Sequence, residues 1–162
     1  MSTAQRPERV LAVDYGTKRI GLAITDPTGV MALPLPLIEV PSRSCDRADV
    51  GDPGRERERA VVVDAIRKVV REKEIARIIV GHPLNTDDTA GPRAKDAESF
   101  AKELESALGV PVEMFDERFT TQQAESMLAG VPLSRKRKRA HVNSVAAQVL
   151  LESYLSARSK CL

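Results

Sequence analysis

The segment from Leu11 to Ile24 constrains the fold more than any other part of the chain. Leu11-Ala12-Val13 runs into Asp14, Gly16 and Gly21 flank a polar turn of Thr17, Lys18 and Arg19, and Leu22-Ala23-Ile24 forms a second apolar run. Two short apolar runs joined by a glycine-bounded polar turn predict a β-hairpin, with strands over 9–14 and 20–25. The hairpin puts one carboxylate, Asp14, at the end of a buried strand. A lone acid there binds a metal, holds a phosphate through that metal, or caps its own turn. The residues alone leave all three readings open.

The pattern downstream extends the hairpin into a mixed sheet. Val30–Ile38 reads as a third strand, and Pro34 and Pro36 place it at an edge, because proline cannot donate to a central ladder. Residues 41–57 are rich in Pro, Gly, Ser, Asp and Arg without periodicity, which predicts a loop insertion. Val62, Ile66, Val69 and Val70 give a helix over 58–72, and Ala76–Val80 a strand that ends in Gly81-His82-Pro83-Leu84-Asn85. Ala97, Phe100, Ala101, Leu104 and Leu108 make one face of the next helix, closed by Gly109 as its C-cap. A strand over Val110–Phe115 ends at Asp116-Glu117. Thr120-x-x-Gln123 has the form of a capping box, opening a helix with Ala124, Met127 and Leu128. After the break at Gly130–Pro132 comes a basic run, and then a last helix from about residue 140 to 155. The order β-β-β-α-β-α-β-α-α predicts an α/β domain whose mixed five-stranded sheet carries helices on both faces.

With 162 residues the chain is sized for one domain. The reading is a flexible N-terminus over 1–8, a domain over 9–156 and a tail over 157–162. No signal peptide and no membrane span are apparent, so a cytoplasmic location is expected. Two cysteines and two histidines are too few for a disulfide framework or a histidine-built zinc site. The absence of Trp, with two Tyr and three Phe, argues against an aromatic platform for single strands. Charge is unevenly placed. Residues 130–162 hold seven Lys or Arg against one acid, a local +6 within a chain whose net charge is +2. The run Arg135-Lys136-Arg137-Lys138-Arg139 points to a polyanionic partner.

If strands one, four and five are parallel neighbours, Asp14 and Glu117 emerge at the same sheet end. Clustered carboxylates suit phosphodiester hydrolysis, because they hold divalent ions that activate water and stabilise the leaving oxygen. Hard oxygen ligands suit Mg²⁺ or Mn²⁺. The alternative is that Asp116 and Glu117 cap the following helix or pair with Arg118.

Four motifs then carry a resemblance. Asp14-x-Gly16-Thr17-Lys18-x-Ile20-Gly21, Gly81-x-Pro83-Leu84-Asn85-x-Asp87, Asp116-Glu117-Arg118-Phe119-Thr120-Thr121 and Val142-Asn143-Ser144-x-Ala146-Ala147 lie in the order found in the YqgF/RuvX family of pre-16S rRNA nucleases, also described as Holliday-junction-resolvase-like. The chain resembles that family from about residue 9 to 156. The resemblance implies a single RNase H-like domain, a cytoplasmic location, a role in maturing the 5′ end of 16S rRNA, and metal-binding roles for Asp14 and Glu117. It also exposes a departure. The family's last helix usually carries an aspartate where this chain has Asn143, which offers one neutral oxygen and removes a negative charge from the metal-binding and catalytic set. Asp87 and His141 are auxiliary candidates. His141 is two residues from Asn143 and so on another helix face, in an expected frayed first turn.

Around the acids, Thr17, Lys18 and Arg19 in the hairpin turn, Asn85, Arg118 and the run 135–139 are the nucleic-acid-binding candidates; the alternatives are a solvated turn for the first three, an ordinary turn residue for Asn85, pairing with Asp116 for Arg118 and a solvated basic end for the run. The basic run is expected just ahead of the last helix. The expected partner is RNA, as pre-16S rRNA or a pre-ribosomal particle, bound by a monomer or weak dimer, with DNA admitted and no membrane. Two competing readings remain: a junction-cleaving DNA endonuclease, and a non-catalytic RNA- or ribosome-associated protein, which Asn143 favours. An ATPase of the actin and Hsp70 type shares the Asp-x-Gly-Thr signature but needs two such domains. No Gly-rich phosphate loop or dinucleotide fingerprint is present.

Overall fold

Alternating apolar residues build the sheet. The computed structural model describes residues 7–41, 53–83, 91–116 and 135–159, the first ten residues of the last helix as backbone only. Strands β1 (Val10–Tyr15), β2 (Arg19–Thr25), β3 (Ala32–Glu39), β4 (Arg77–His82) and β5 (Val112–Asp116) form one sheet in the order β3-β2-β1-β4-β5. The first three run antiparallel to one another, whereas β4 and β5 run parallel to β1. Helices α1 (Pro53–Glu72), α2 (Pro92–Leu108) and α3 (Arg135–Ser159) cover the sheet.

Strand alternation sorts the core into two layers. Leu11, Val13, Leu22, Ile78 and Val80 pack with Val62, Ile66, Phe100 and Leu104 of α1 and α2. Val10, Ala12, Ala23 and Ile79 pack against Ala147, Leu150, Leu151 and Tyr154 of α3. The sheet is therefore covered on both faces. Small residues at positions 12, 23 and 147 let α3 lie close to it. The end of β1 is fixed by its hairpin, in which Asp14 lies opposite Gly21 and Tyr15 opposite Ile20.

The hairpin, the mixed five-stranded sheet and the edge position of β3 are as the sequence predicts, and the condition that strands one, four and five be parallel neighbours is met. Gly109 closes α2 in the left-handed conformation at φ 65°, its N–H bonded to the Glu105 carbonyl. Three expectations need correction. The loop expected over 41–57 is shorter, since α1 begins at Pro53. The basic run does not precede the last helix but forms its first turns, and that helix continues to Ser159. His141 is consequently well inside α3 rather than in its first turn. One cause accounts for all three. Arg, Lys and Glu are good helix formers, and a charged helix start carries no apolar periodicity to announce it. The helix expected from Thr120 lies outside the described residues.

Candidate functional site

Parallel pairing aligns the ends of β1, β4 and β5. Val13 pairs with Val80, and Val80 with Met114, so one step further Asp14 lies beside Gly81, whose neighbour on β5 is Phe115. Asp14 alternates with Val10 and Ala12 and so leaves the sheet on the α3 face. Glycine stands on both sides of it, Gly21 on β2 and Gly81 on β4. Neither contributes a side chain beside the half-buried carboxylate. The role of these two glycines is the one the sequence reading missed. Its signal was present, because a glycine inside a strand marks a bulge, a bend or a close approach by another group.

Gly16 makes the turn itself. A Cβ there would stand 2.4 Å from the carbonyl oxygen of Arg19. Thr17 and Lys18 are exposed at the tip, and Arg19 opens β2, half-buried. The Lys18 carbonyl accepts a hydrogen bond from the Val40 N–H at 3.0 Å, which ties the turn to the end of β3.

Helix α3 runs antiparallel to β1. Its last turn is held beside the start of β1, where Arg158 pairs with Glu8 at 2.8 Å, and Glu8 also receives Arg77 at 3.2 Å. Tyr154 donates to Glu113 at 3.3 Å and meets Phe115 edge-on at 5.6 Å. From Arg158 back to position 143 the helix rises about 22 Å. The chain from Glu8 to Asp14 covers about 20 Å. The early turns of α3 therefore run toward the strand end that bears Asp14. Position 143 falls one turn before Ala147, on the stripe that continues through Leu150 and Tyr154.

His82, at the end of β4, alternates with Ile78 and Val80 onto the opposite face, where it contacts Glu98 at 2.8 Å. Asp116 alternates with Val112 and Met114, which pack toward the α1–α2 layer. Among the described residues no group of three His, Cys, Asp or Glu side chains stands ready to hold a metal. Of the expected site residues, Asp14, Thr17, Lys18 and Arg19 are together at one sheet end. Positions 135–139, 141 and 143 are in α3, their side chains undescribed. Asn85, Asp87, Glu117 and Arg118 lie outside the described residues.

A mixed sheet in the order β3-β2-β1-β4-β5, with an acid near the end of its central strand and helices on both faces, is the RNase H-like fold. The structure is similar to that of RuvC from Thermus thermophilus in complex with a Holliday junction substrate, with a TM-score of 0.54 and 14% identity over 94% of this chain and 96% of that one. That likeness concerns the fold. Residues 8–157 match the family described as RuvX, Holliday junction resolvase, and the chain belongs to that family. Relatives named "Putative pre-16S rRNA nuclease" include a protein of Geobacillus sp., 37% identical over 93% of this chain and 99% of its own length. Another, from Anaeromyxobacter sp., is 40% identical over 93% of this chain and 98% of its own.

Proposed function

We propose that the chain is a metal-dependent endonuclease that processes the 5′ end of pre-16S rRNA in the cytoplasm. The observation that carries this reading is the placement of Asp14, between Gly21 and Gly81 at the end of the central strand and on the face covered by α3. The names of the relatives support the substrate. Among the described residues no helix is long and apolar enough to cross a membrane.

Asp14 supplies a hard oxygen donor, and Glu117 and Asn143 would complete an all-oxygen set suited to Mg²⁺ or Mn²⁺. Alternation places Glu113 and Phe115 on the α3 face. When bound, the ion supplies an acidified water and charge stabilisation at the leaving oxygen. The chain's own groups then bind and orient. Thr17, Lys18 and Arg19 sit where the phosphate beside the scissile one would pass, and Asn85 and Arg118 would meet the sugar–phosphate backbone. The run 135–139 brings cations to the N-terminal turns of α3, where unpaired backbone N–H groups also favour phosphates. Asp87 and His141 are the auxiliary candidates.

Cleavage of a 5′-extended 16S rRNA precursor in Mg²⁺ or Mn²⁺, beside matched RNA and four-way-junction DNA, tests this. Wild type is expected to cut the precursor and D14N and E117Q to be inert. Preferred cutting of junctions would move the assignment to DNA. Asn143 favours a second reading, a non-catalytic RNA-binding protein. Tight precursor binding without cleavage in any divalent metal would establish it.

A further inference from the structure

Helices on both faces of the sheet run past the strand end that bears Asp14. On one face, α2 starts there and runs back along the sheet. Its Glu98 contacts His82, the last residue of β4, at 2.8 Å, and its Phe100 stacks on Tyr15, the last residue of β1, at a centroid distance of 4.3 Å. Further along, the Glu105 carboxylate accepts from the Val112 N–H at the start of β5, at 3.3 Å. Residues 98–100 are therefore level with the strand ends, and the turns before them project beyond the sheet. From Phe100 back to Arg93 the helix axis covers about 10 Å. On the other face, α3 begins at Arg135, and its position 143 is level with Asp14, so its first turns project too.

The projecting turns of α2 are positive. Arg93 and Lys95 are exposed, and among the described residues neither makes an ion pair. No acid stands in the first turn of the helix. The acids that follow are taken up by partners. Asp96, its side chain 20% exposed, binds Arg55 and Arg59 of α1; Glu103 binds Arg59 at 3.4 Å, and Glu98 binds His82. The neighbouring start of α1 lacks this imbalance, because Arg57 lies between Glu56 and Glu58 and the other two arginines are spent on Asp96. The free cations on this side of the strand end thus belong to α2, with Lys18 exposed at the hairpin tip.

We infer that Arg93 and Lys95 form a second phosphate-binding wall, across the strand end from the turns of α3 that hold residues 135–139, so that RNA passes between two helices rather than along one. The inference rests on the reading of the chain as a nuclease that works at Asp14. Cations on one side attract a strand but leave its path free. Cations on both sides fix the path, because phosphate contacts set register and orientation while carrying no sequence information.

The test is fluorescence anisotropy of the full chain over a range of salt concentrations, in EDTA to prevent cutting. The probes are the 5′-extended 16S rRNA precursor and four-way-junction DNA. Wild type is compared with R93Q/K95Q, R93K/K95R and K68Q/R71Q. The last removes the same charge from exposed positions in the second half of α1, toward the opposite sheet end. R93Q/K95Q is expected to bind the precursor more weakly and to lose about 1.4 log units of salt slope, at ~0.7 for each single-strand contact. R93K/K95R keeps both charges and should keep the slope, as should K68Q/R71Q. An unchanged slope in R93Q/K95Q, or an equal loss in K68Q/R71Q, would overturn the inference and leave Arg93 and Lys95 as solvated surface. A loss of slope on junction DNA alone would overturn RNA as the occupant. Cleavage is measured apart, in Mn²⁺. A wild type that binds the precursor but never cuts it would remove the nuclease reading, while the slopes would still decide the wall.

Discussion

At the scale of single residues, the turn after Asp14 is defined by what it excludes. A Cβ at Gly16 would press against backbone rather than against a movable side chain, since the atom it meets is the Arg19 carbonyl oxygen at 2.4 Å. Gly16→Ala is therefore expected to destabilise the protein by about 1–3 kcal/mol, the range for overpacking, read as a lower urea midpoint. It should also impair cleavage, because the hairpin that shifts is the one holding Asp14. Asp26 anchors the next turn, between β2 and β3. Its carboxylate accepts from the Thr28 hydroxyl at 2.5 Å and from the Val30 and Met31 N–H groups at 2.9 Å each. The Thr28 hydroxyl first, then the Met31 N–H, holds the Asp26 carboxyl down at about 2 against an ordinary 3.8. A carboxyl lowered on folding stabilises the fold above its unfolded value and loses that contribution as pH falls through the folded one. The contribution of Asp26 should thus vanish between about pH 4 and pH 2. Acid unfolding followed by circular dichroism checks this: Asp26→Asn should lack the part of the wild-type decline that falls in that window.

At the scale of elements, α3 divides its labour along its length. Its second half buries Ala147, Leu150, Leu151 and Tyr154 against the sheet, and its last turn is pinned by Glu8. Its first turns carry five consecutive cations. Replacing Arg135, Lys136, Arg137, Lys138 and Arg139 by glutamine should weaken RNA binding and flatten its salt dependence. The expected change is ~0.7 log unit of slope for each lost single-strand phosphate contact, or ~0.9 for duplex. Stability should change little, because the packed half of the helix is untouched. An unchanged slope would make the run a solubilising surface. The same division explains why the sequence revealed this helix only from about residue 140. Period-3.6 apolar signal begins where packing begins, and the charged turns before it are helical through propensity and continuation. Helix α1 shows the same effect at Pro53, where the first turns are rich in Arg and Glu.

At the scale of the whole molecule, the five strands and three helices among the described residues form one layered unit because the two faces of the sheet bury different partners. The strands were legible since each alternates or is wholly apolar, and the prolines of β3 marked its edge. Legibility was poorer at the site. Asp14 stood out as an acid after an apolar run, whereas its glycine neighbours, Gly21 and Gly81, meet it across two different pairings. No local pattern encodes that convergence. Charge balance at the site offers a test of the domain as a unit. Asn143→Asp is expected to tighten Mn²⁺ binding and raise cleavage, by restoring a full charge in a side chain of nearly the same size. Metal-free protein should then melt lower and metal-loaded protein higher than wild type, as a melting series in Mn²⁺ would show. Finally, Pro7 and Ser159 line one groove, together with Glu8, Val30 and Leu155, at the sheet end opposite Asp14. For anyone handling the protein this is practical geometry. A purification tag, a fluorophore or a surface tether joined at either of these residues is rooted at the sheet end away from Asp14, so the protein can be immobilised without an anchor beside that carboxylate.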